Sequence, residues 1–285
     1  MAMASDGSFV GSVSGGCVEG ALMRTAAEVR ESGGPRIVEY GVSNDQAWEA
    51  GLACGGQVVV RLDRIGSLPL DLPTTQLQAI LDAVADRQPV ALRFEPGQAA
   101  RRVSARPTDT TSTVPRRSDV RTHPVVRPYP PTLRLVMVGA GHITRALVGM
   151  ALPLGFELHV IDPRSAFARS DRFPGATVHV DYPDEVLDHL GVDAHTAVVV
   201  LTHDPRIDDP ALEVALRSTC VYIGALGSTR THARRRTRLA DRGFDSAALD
   251  RIHGPVGLRL GGRQPAEIAL SILAELTQVR HGRSA

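Results

Sequence analysis

The sequence predicts an α/β fold in two parts, a small N-terminal α/β domain and a C-terminal doubly wound parallel sheet. Three observations carry this expectation. The apolar run Leu133–Val138 ends abruptly in Gly139-Ala140-Gly141, and a helical pattern follows through Ile143, Leu147, Met150, Ala151 and Leu154. From there apolar strands and amphipathic helices alternate regularly, the signature of a parallel sheet covered on both faces. Between 97 and 131 the apolar periodicity dissolves into Arg, Pro, Thr, Ser and Asp, which marks a polar linker between a first domain, 1–96, and a second, 132–285. A chain of 285 residues is long enough for two separate cores. A strand, a glycine turn and a helix in this order make the second domain Rossmann-like.

Composition narrows the function classes. The chain is 43% apolar and 22% charged, ordinary for a soluble domain, and its formal net charge of +1 gives no reason to expect nucleic acid or an anionic membrane surface as partner. The N-terminus has neither a basic region nor an apolar run of the signal-peptide kind. Arg134, His142, Arg145 and Glu157 interrupt the longest apolar region, so no membrane span is expected. Three widely spaced cysteines suit a reducing compartment, and the cytoplasm is the expected location. The chain contains no lysine, which excludes Schiff-base chemistry and a P-loop lysine.

In chain order, residues 5–13 read as the end of a hairpin. Ser14-Gly15-Gly16-Cys17-Val18-Glu19 leads into a helix to about Ser32, with Val18, Leu22, Ala26 and Val29 on one face and Gly33-Gly34 as its stop. Strand Arg36–Tyr40, a helical turn Asn44–Glu49, the loop Gly51–Gly56, strand Gln57–Leu62, helix Thr74–Asp86 and strand Pro89–Phe94 complete the first domain. In the second, strands are expected at 134–138, 156–161, 176–180, 196–201 and 220–223. Helices are expected at about 142–153, 183–190, 209–217 and 229–241. Pro265 opens a last helix whose apolar face, Ile268, Ile272, Leu273, Leu276 and Val279, suits packing on either domain.

Several residues carry candidate chemistry. Gly139 permits the turn after the first strand, Gly141 lets backbone approach a phosphate, and the helix start favours negative charge. Thr144 stands where the dinucleotide fingerprint has Gly or Ala. About twenty residues on, Asp162 falls where such folds place a ribose-binding acid, and the neighbouring Arg164 suits a phosphate instead. Other loops at the carboxyl ends of the strands are Thr202-His203-Asp204-Pro205 and Gly224-Ala225-Leu226-Gly227-Ser228. His142 and His203 flank the crevice between the first and fourth strands, as proton carriers or anion ligands; His-Asp-Pro is equally ordinary turn chemistry. Cys17 and Cys54 sit in the paired-glycine loops GGC and CGG, either as thiolates for a soft metal or as small buried fillers. Two cysteines without a histidine rule out an ordinary structural zinc site in the first domain. Arg230, Arg234, Arg235, Arg236 and Arg238 crowd one helix, as a solvated face or a docking surface for an acidic partner. Arg251–Leu258 reads as a turn-rich loop whose His253 can face the same crevice.

These motifs together resemble the XdhC/CoxI family. In the first domain the likeness rests on Gly11–Glu19 and Gly51–Gly56. In the second it rests on Gly139–His142, Asp162–Arg164, Arg172–Pro174, Leu201–Pro205, Tyr222–Ser228, Arg251–His253 and Glu267–Ala269. The resemblance implies a maturation factor that binds the molybdenum cofactor (a molybdopterin), helps its sulfuration and delivers it to a molybdenum hydroxylase apo-enzyme such as xanthine dehydrogenase or carbon monoxide dehydrogenase. It implies a homodimer, and a cysteine desulfurase as a further partner. On this reading Gly15, Gly16, Cys17, Cys54, Gly55, Gly139, Gly141, His142, Asp162, Arg164, His203, Asp204, Gly227, Ser228 and His253 bind the cofactor, with Cys17 and Cys54 nearest molybdenum. The pterin's phosphate would sit at the helix start of Gly141 or of Cys17. Two departures stand out besides Thr144: an N-terminal Gly-Ser-Ser-Pro-Arg-like segment usual in the family is missing, and Gly257-Leu258-Arg259-Leu260-Gly261-Gly262 replaces the usual Gly-Leu-Asp-Ile-Gly-Ala. The competing expectation is an NAD(P)-dependent oxidoreductase, with Asp162 on the ribose and His142 or His203 as proton carrier. A third is a Rossmann module that binds a nucleotide only to regulate or stabilise a complex.

Overall fold

The computed structural model describes residues 1–16, 18–42, 56–95, 98, 100–104 and 124–282. It divides into two compact units, Met1–Pro131 and Thr132–Ala285. Cys17, Cys54, Gly55 and the expected turn at 44–49 lie outside the described residues.

Unit 1 begins with a short hairpin, β1 (Ala2–Met3) against β2 (Phe9–Val10), closed by Ala4 N donating to Ser8 O at 2.8 Å. Helix α1 (Glu19–Ser32) buries Leu22 and Val29 along the expected face and stops at Gly33, whose φ of 73° suits a residue without Cβ. Strands β3 (Arg36–Val42) and β4 (Gly56–Leu62) form an antiparallel pair. The short β5 (Ile65–Gly66) and β6 (Leu72–Pro73) then lead into α2 (Thr74–Ala85). β7 (Val90–Phe94) is the centre of a three-stranded antiparallel sheet ordered β8-β7-β9, with β8 (Arg101–Ser104) and β9 (Val125–Tyr129) beside it. Both flanking strands lie inside 97–131, the stretch whose composition predicts only a linker. Arg, Pro and Thr do not alternate with apolar residues here, so the pattern of a half-buried strand is absent although backbone pairing is present. Leu72, Ile80, Val90, Leu92 and Ala100 make the small core of this unit.

Unit 2 follows the predicted alternation closely. Its elements are β10 (Arg134–Val138), α3 (His142–Ala151), β11 (Glu157–Ile161), β12 (Thr177–His179), α4 (Pro183–Leu190), β13 (Thr196–Val200), α5 (Pro205–Arg217), β14 (Tyr222–Ala225), α6 (Thr229–Asp241), α7 (Ser246–Leu249), β15 (Ile252–His253) and α8 (Pro265–Arg280). Six parallel strands lie in the order β12-β11-β10-β13-β14-β15, so the order reverses between β10 and β13. Every residue of β10 and of β13 is buried, as expected for strands covered on both faces. One face carries Leu135, Met137, Leu158, Val160 and Val199 against α3 and α8, through Leu147, Val148, Ile272, Leu273 and Leu276. The last helix therefore packs in this unit. The other face carries Val136, Val138, Ile161, Val198 and Val200 against α4, α5 and α6.

Three details depart from expectation. α5 starts at Pro205, not at 209, because Asp204 caps it and proline is preorganised for the first helical position. β14 lies at 222–225 rather than 220–223. The turn-rich stretch 251–258 contains β15, two residues that add a parallel edge to β14.

Candidate cofactor site

The carboxyl edge of the unit 2 sheet collects most of the candidate residues. Gly139 leaves β10 with φ of 109°, and a Cβ there would stand 2.7 Å from Thr202 Cγ2 and 3.2 Å from the Leu201 carbonyl carbon. Glycine is required because the turn runs against the end of β13. A Cβ on Gly141 would meet nothing within 4 Å, so the space above it is open. Gly141 precedes α3, which has no side-chain cap and no acid in its first turn. α4 likewise has no side-chain cap, whereas Asp204 caps α5, Ser228 caps α6, and Gln264 with Glu267 forms a capping box on α8. The uncapped amides at the start of α3 remain available to a ligand. Thr144, the departure from the fingerprint, is fully buried and donates its hydroxyl to Gly139 O, which satisfies the polar atom and braces the turn.

Asp162 is fully buried. Its carboxylate accepts from Ala140 N at 2.8 Å, from Arg164 N at 3.0 Å, and from the Arg164 guanidinium through Nε and Nη2, both at 2.8 Å. Burial opposes its ionisation, but the Arg164 side chain and the two amides outweigh that and hold its pKa below the ordinary value. This geometry engages Asp162 with the glycine turn. Arg164 is half-exposed and stacks its guanidinium 4.4 Å from the Phe167 ring centroid.

His142 and His203 are both exposed, one as the first residue of α3 and the other after β13. His203 adopts a left-handed backbone, φ 65°, which a non-glycine residue holds only where its surroundings impose it. Asp208 imposes it. The Asp208 carboxylate accepts from Thr202 Oγ1 at 2.6 Å, Thr202 N at 3.3 Å and His203 N at 3.1 Å. Asp208 and Arg235 are 1% and 2% exposed and 3.8 Å apart. Burial raises the Asp208 pKa and lowers that of Arg235. Arg235 Nη2 also donates to Leu226 O at 2.9 Å, while Nε and Nη1 have no partner. Asp204 is held down to about 2 by Arg206, which grips it through side chain and backbone.

The arginine-rich α6 is only partly a surface. Arg235 is buried, Arg236 pairs with Asp250 at 2.7 Å, and Arg238 forks onto the buried Asp209 at 2.6 and 2.9 Å. Arg230 and Arg234 remain exposed.

At the β15 end of the same edge, His253, Leu226, Thr229 and the loop 254–262 line a cleft of about 840 Å³ with the start of α8. Gly227 and Ser228 lie just before α6, with Ser228 Oγ accepting from Thr231 N at 3.1 Å. Behind His253 stands a group that sequence reasoning missed. Glu275 faces His253 Nδ1 at 3.4 Å, accepts from Gly257 N at 2.9 Å, and accepts from the Tyr222 hydroxyl. Tyr222 also stacks on His253, with centroids 4.7 Å apart and 28° between planes. Burial works against ionisation of Glu275, yet the bonds from His253, Tyr222 and Gly257 hold its pKa below the ordinary value. Burial and Glu275 push the Tyr222 phenol up. Nothing local in sequence links residues 222, 253 and 275; only the sheet and α8 bring them together.

In unit 1 the loop before α1 folds over an internal anion. The Glu19 carboxylate accepts from Val13 N (3.0 Å), Ser14 N (2.9 Å), Gly16 N (2.9 Å) and Val18 N (3.2 Å), and from the hydroxyls of Ser12 (2.6 Å) and Ser14 (2.8 Å). These amides are spent on Glu19. The Ser12 hydroxyl, then the Ser14 amide and hydroxyl, lower the Glu19 pKa far below the usual carboxylate range. A depressed folded-state value means that the order of this loop is present above the ordinary glutamate value and is lost only as pH falls through the folded one. Hydrogen exchange at Ser14 and Gly16 is therefore expected to stay protected as pH falls through 4.5. In Glu19→Gln that protection should drop at neutral pH; unchanged protection would show that Glu19 does not order the loop.

Among the described residues no cluster of three or more His, Cys, Asp or Glu is arranged to hold a metal ion. No described helix is long and apolar enough to cross a membrane. Cys220, the one described cysteine, is buried, and burial raises its thiol pKa, opposite to what a reactive thiolate needs.

Comparison with known proteins agrees with this architecture. Residues 135–276 match the family described as the XdhC Rossmann domain, and residues 1–41 match the XdhC and CoxI family. The chain is 31% identical over 98% of its length to the molybdenum cofactor insertion chaperone PaoD of Escherichia coli, covering 77% of that protein. It is 27% identical over 96% of its length to a probable xanthine dehydrogenase subunit of Bacillus subtilis, covering 85% of it. A crystal structure described as a xanthine dehydrogenase from Bacillus halodurans superposes with a TM-score of 0.74 at 28% identity, over 99% of this chain and 86% of that one. With likeness that runs through both units and includes the loops of Gly15, Gly139 and His253, the chain belongs to the XdhC/CoxI family.

Proposed function

We propose that this protein is a maturation factor that holds the molybdenum cofactor as cargo and hands it to a molybdenum hydroxylase apo-enzyme of the xanthine dehydrogenase or carbon monoxide dehydrogenase type. The observation that carries this reading is the nearly full-length similarity to a cofactor insertion chaperone. The sheet edge supports it: the uncapped start of α3, beside the open space above Gly141, offers amide donors to the cargo's phosphate. On this reading Arg164, His142, His203 and Asp204 would surround that position from the neighbouring strand ends, and Gly227, Ser228 and His253 would extend the site toward β15. Cys17 and Cys54 would supply thiolates to the metal during sulfuration, with a cysteine desulfurase as sulfur donor, and the working unit would be a homodimer. Turnover of NAD(P) is the weaker reading, because the acid such an enzyme uses on the ribose is already saturated by Ala140 and Arg164.

The test is anaerobic incubation with molybdenum cofactor, removal of free ligand, and assay of retained molybdenum and of oxidised-pterin fluorescence. Stoichiometric retention of both is expected, with no NAD(P)H binding in the same preparation. Absence of retained metal and pterin, with NAD(P)H bound tightly, would overturn the proposal. If Cys17→Ala and Cys54→Ala both retain cargo and accept sulfur normally, the thiolate roles fall.

A further inference from the structure

The cleft beside His253 has a chemistry of its own. Its walls include Leu226, Val256, Leu258 and Ile268, and its volume of about 840 Å³ falls within the range of small-molecule sites. Most polar side chains in the lining are already committed. Glu267 binds the amides of Arg263 and Gln264 at 2.8 and 2.9 Å, Ser271 donates to Ile268 O, and Glu275 is filled by Tyr222, Gly257 and His253. Two nitrogen groups are left over. His253 Nε2 and the exposed Arg259 guanidinium have no protein partner among the described residues.

The first of these has a defined role. In the neutral ring, the Glu275 carboxylate 3.4 Å from Nδ1 favours the tautomer with its proton on that nitrogen, which leaves the Nε2 lone pair as an acceptor. Tyr222 beneath the ring holds its plane. The lining thus offers apolar walls, an imidazole acceptor for an N–H, and on the loop the exposed Arg259, whose planar guanidinium is able to donate to a carbonyl and an adjacent ring nitrogen, as arginine does to guanine. A fused heterocycle with a lactam edge carries the complementary set: ring N–H, carbonyl oxygen and ring nitrogen.

We propose that this cleft binds a flat lactam-bearing heterocycle of the pterin type, with His253 accepting its ring N–H, Arg259 donating to its carbonyl edge, and Glu275 and Tyr222 as positioning residues. The identification of the ring as a pterin rests on the cargo reading above; the cleft chemistry does not. Adjacent strands lie about 4.8 Å apart, so β15 stands three strand spacings from β10. One elongated ligand lying along the edge can then place its ring by His253 and its phosphate by Gly141.

The experiment titrates the full chain with metal-free 6-hydroxymethylpterin by fluorescence, and in parallel with guanosine. Pterin is expected to bind, His253→Ala to weaken it about tenfold through loss of one hydrogen bond, and His253→Gln to recover part of that through its amide oxygen. Glu275→Gln should weaken binding less. In the wild-type protein the imidazole ¹⁵N resonance assigned to His253 Nε2 should shift on adding pterin, a readout that needs no variant to fold. Guanosine binding more tightly than pterin through the same histidine overturns the pterin assignment. Pterin affinity unchanged in His253→Ala, or an unmoved Nε2 resonance at saturation, overturns the site, even if molybdenum is still retained. Pterin bound at His253 with no retention of molybdenum supports the site and rejects the cargo reading.

Discussion

Asp208→Ala is expected to destabilise unit 2 by about 3–5 kcal/mol, the cost of leaving a buried charge without its partner. Arg235, 2% exposed, would keep only Leu226 O as an acceptor, with Nε and Nη1 already unpaired. Thr202 N and His203 N would lose their acceptor at the same time. Urea unfolding of the variant measures the loss, and a midpoint unchanged from wild type would refute it. The double variant Asp208→Ala with Arg235→Met should recover much of the difference, because a buried ion pair is often replaceable by apolar groups although a broken one is not. His203 should relax from its left-handed backbone in the single variant, so the sheet edge would lose its shape even where the protein remains folded.

Removing the Asp162 carboxylate tests whether this acid serves the fold or a ligand. Asp162→Ala leaves Ala140 N buried without an acceptor, while the half-exposed Arg164 can turn to water, so the expected loss is about 1–3 kcal/mol. The Gly139–Gly141 turn should loosen, and cargo retention should fall with it. Asp162→Asn, which keeps one oxygen for Ala140 N, should be milder. A variant with full stability and lowered affinity for NAD(P)H alone would restore the ribose role and argue for the oxidoreductase reading.

How much is legible in the residues alone follows from the range of the interactions. Strands 134–138 and 196–200 announce themselves because a strand buried on both faces must be apolar throughout, and α4 and α6 because an amphipathic period is local. β15 is too short to show a period, and β8 and β9 lack alternation. The start of α5 is hidden by an ambiguity: Asp-Pro opens turns and helices alike, and only the bond from Arg206 N to the Asp204 side chain at 3.0 Å decides. Asp162 stands out at once, but as a ribose acid by position; its partners Ala140 and Arg164 become visible only once the turn is built. Glu275 carries no signal at all, and Tyr222 shows only as the first residue of the Tyr222–Ser228 motif, with nothing to mark its hydroxyl or its ring. One belongs to an amphipathic helix and the other to a buried strand, and their meeting at His253 is a product of topology. Glu19 has a faint one, an acid just after a run of serines and glycines rich in free amides.

The brevity of the two outer strands has a consequence for how copies of this protein can associate. β12 has three residues and β15 has two, so each rim of the six-stranded sheet offers few free backbone groups to a neighbouring molecule. Joining two sheets rim to rim into one continuous sheet would gain little. Copies that associate through unit 2 would therefore meet by helix faces and not by sheet rims.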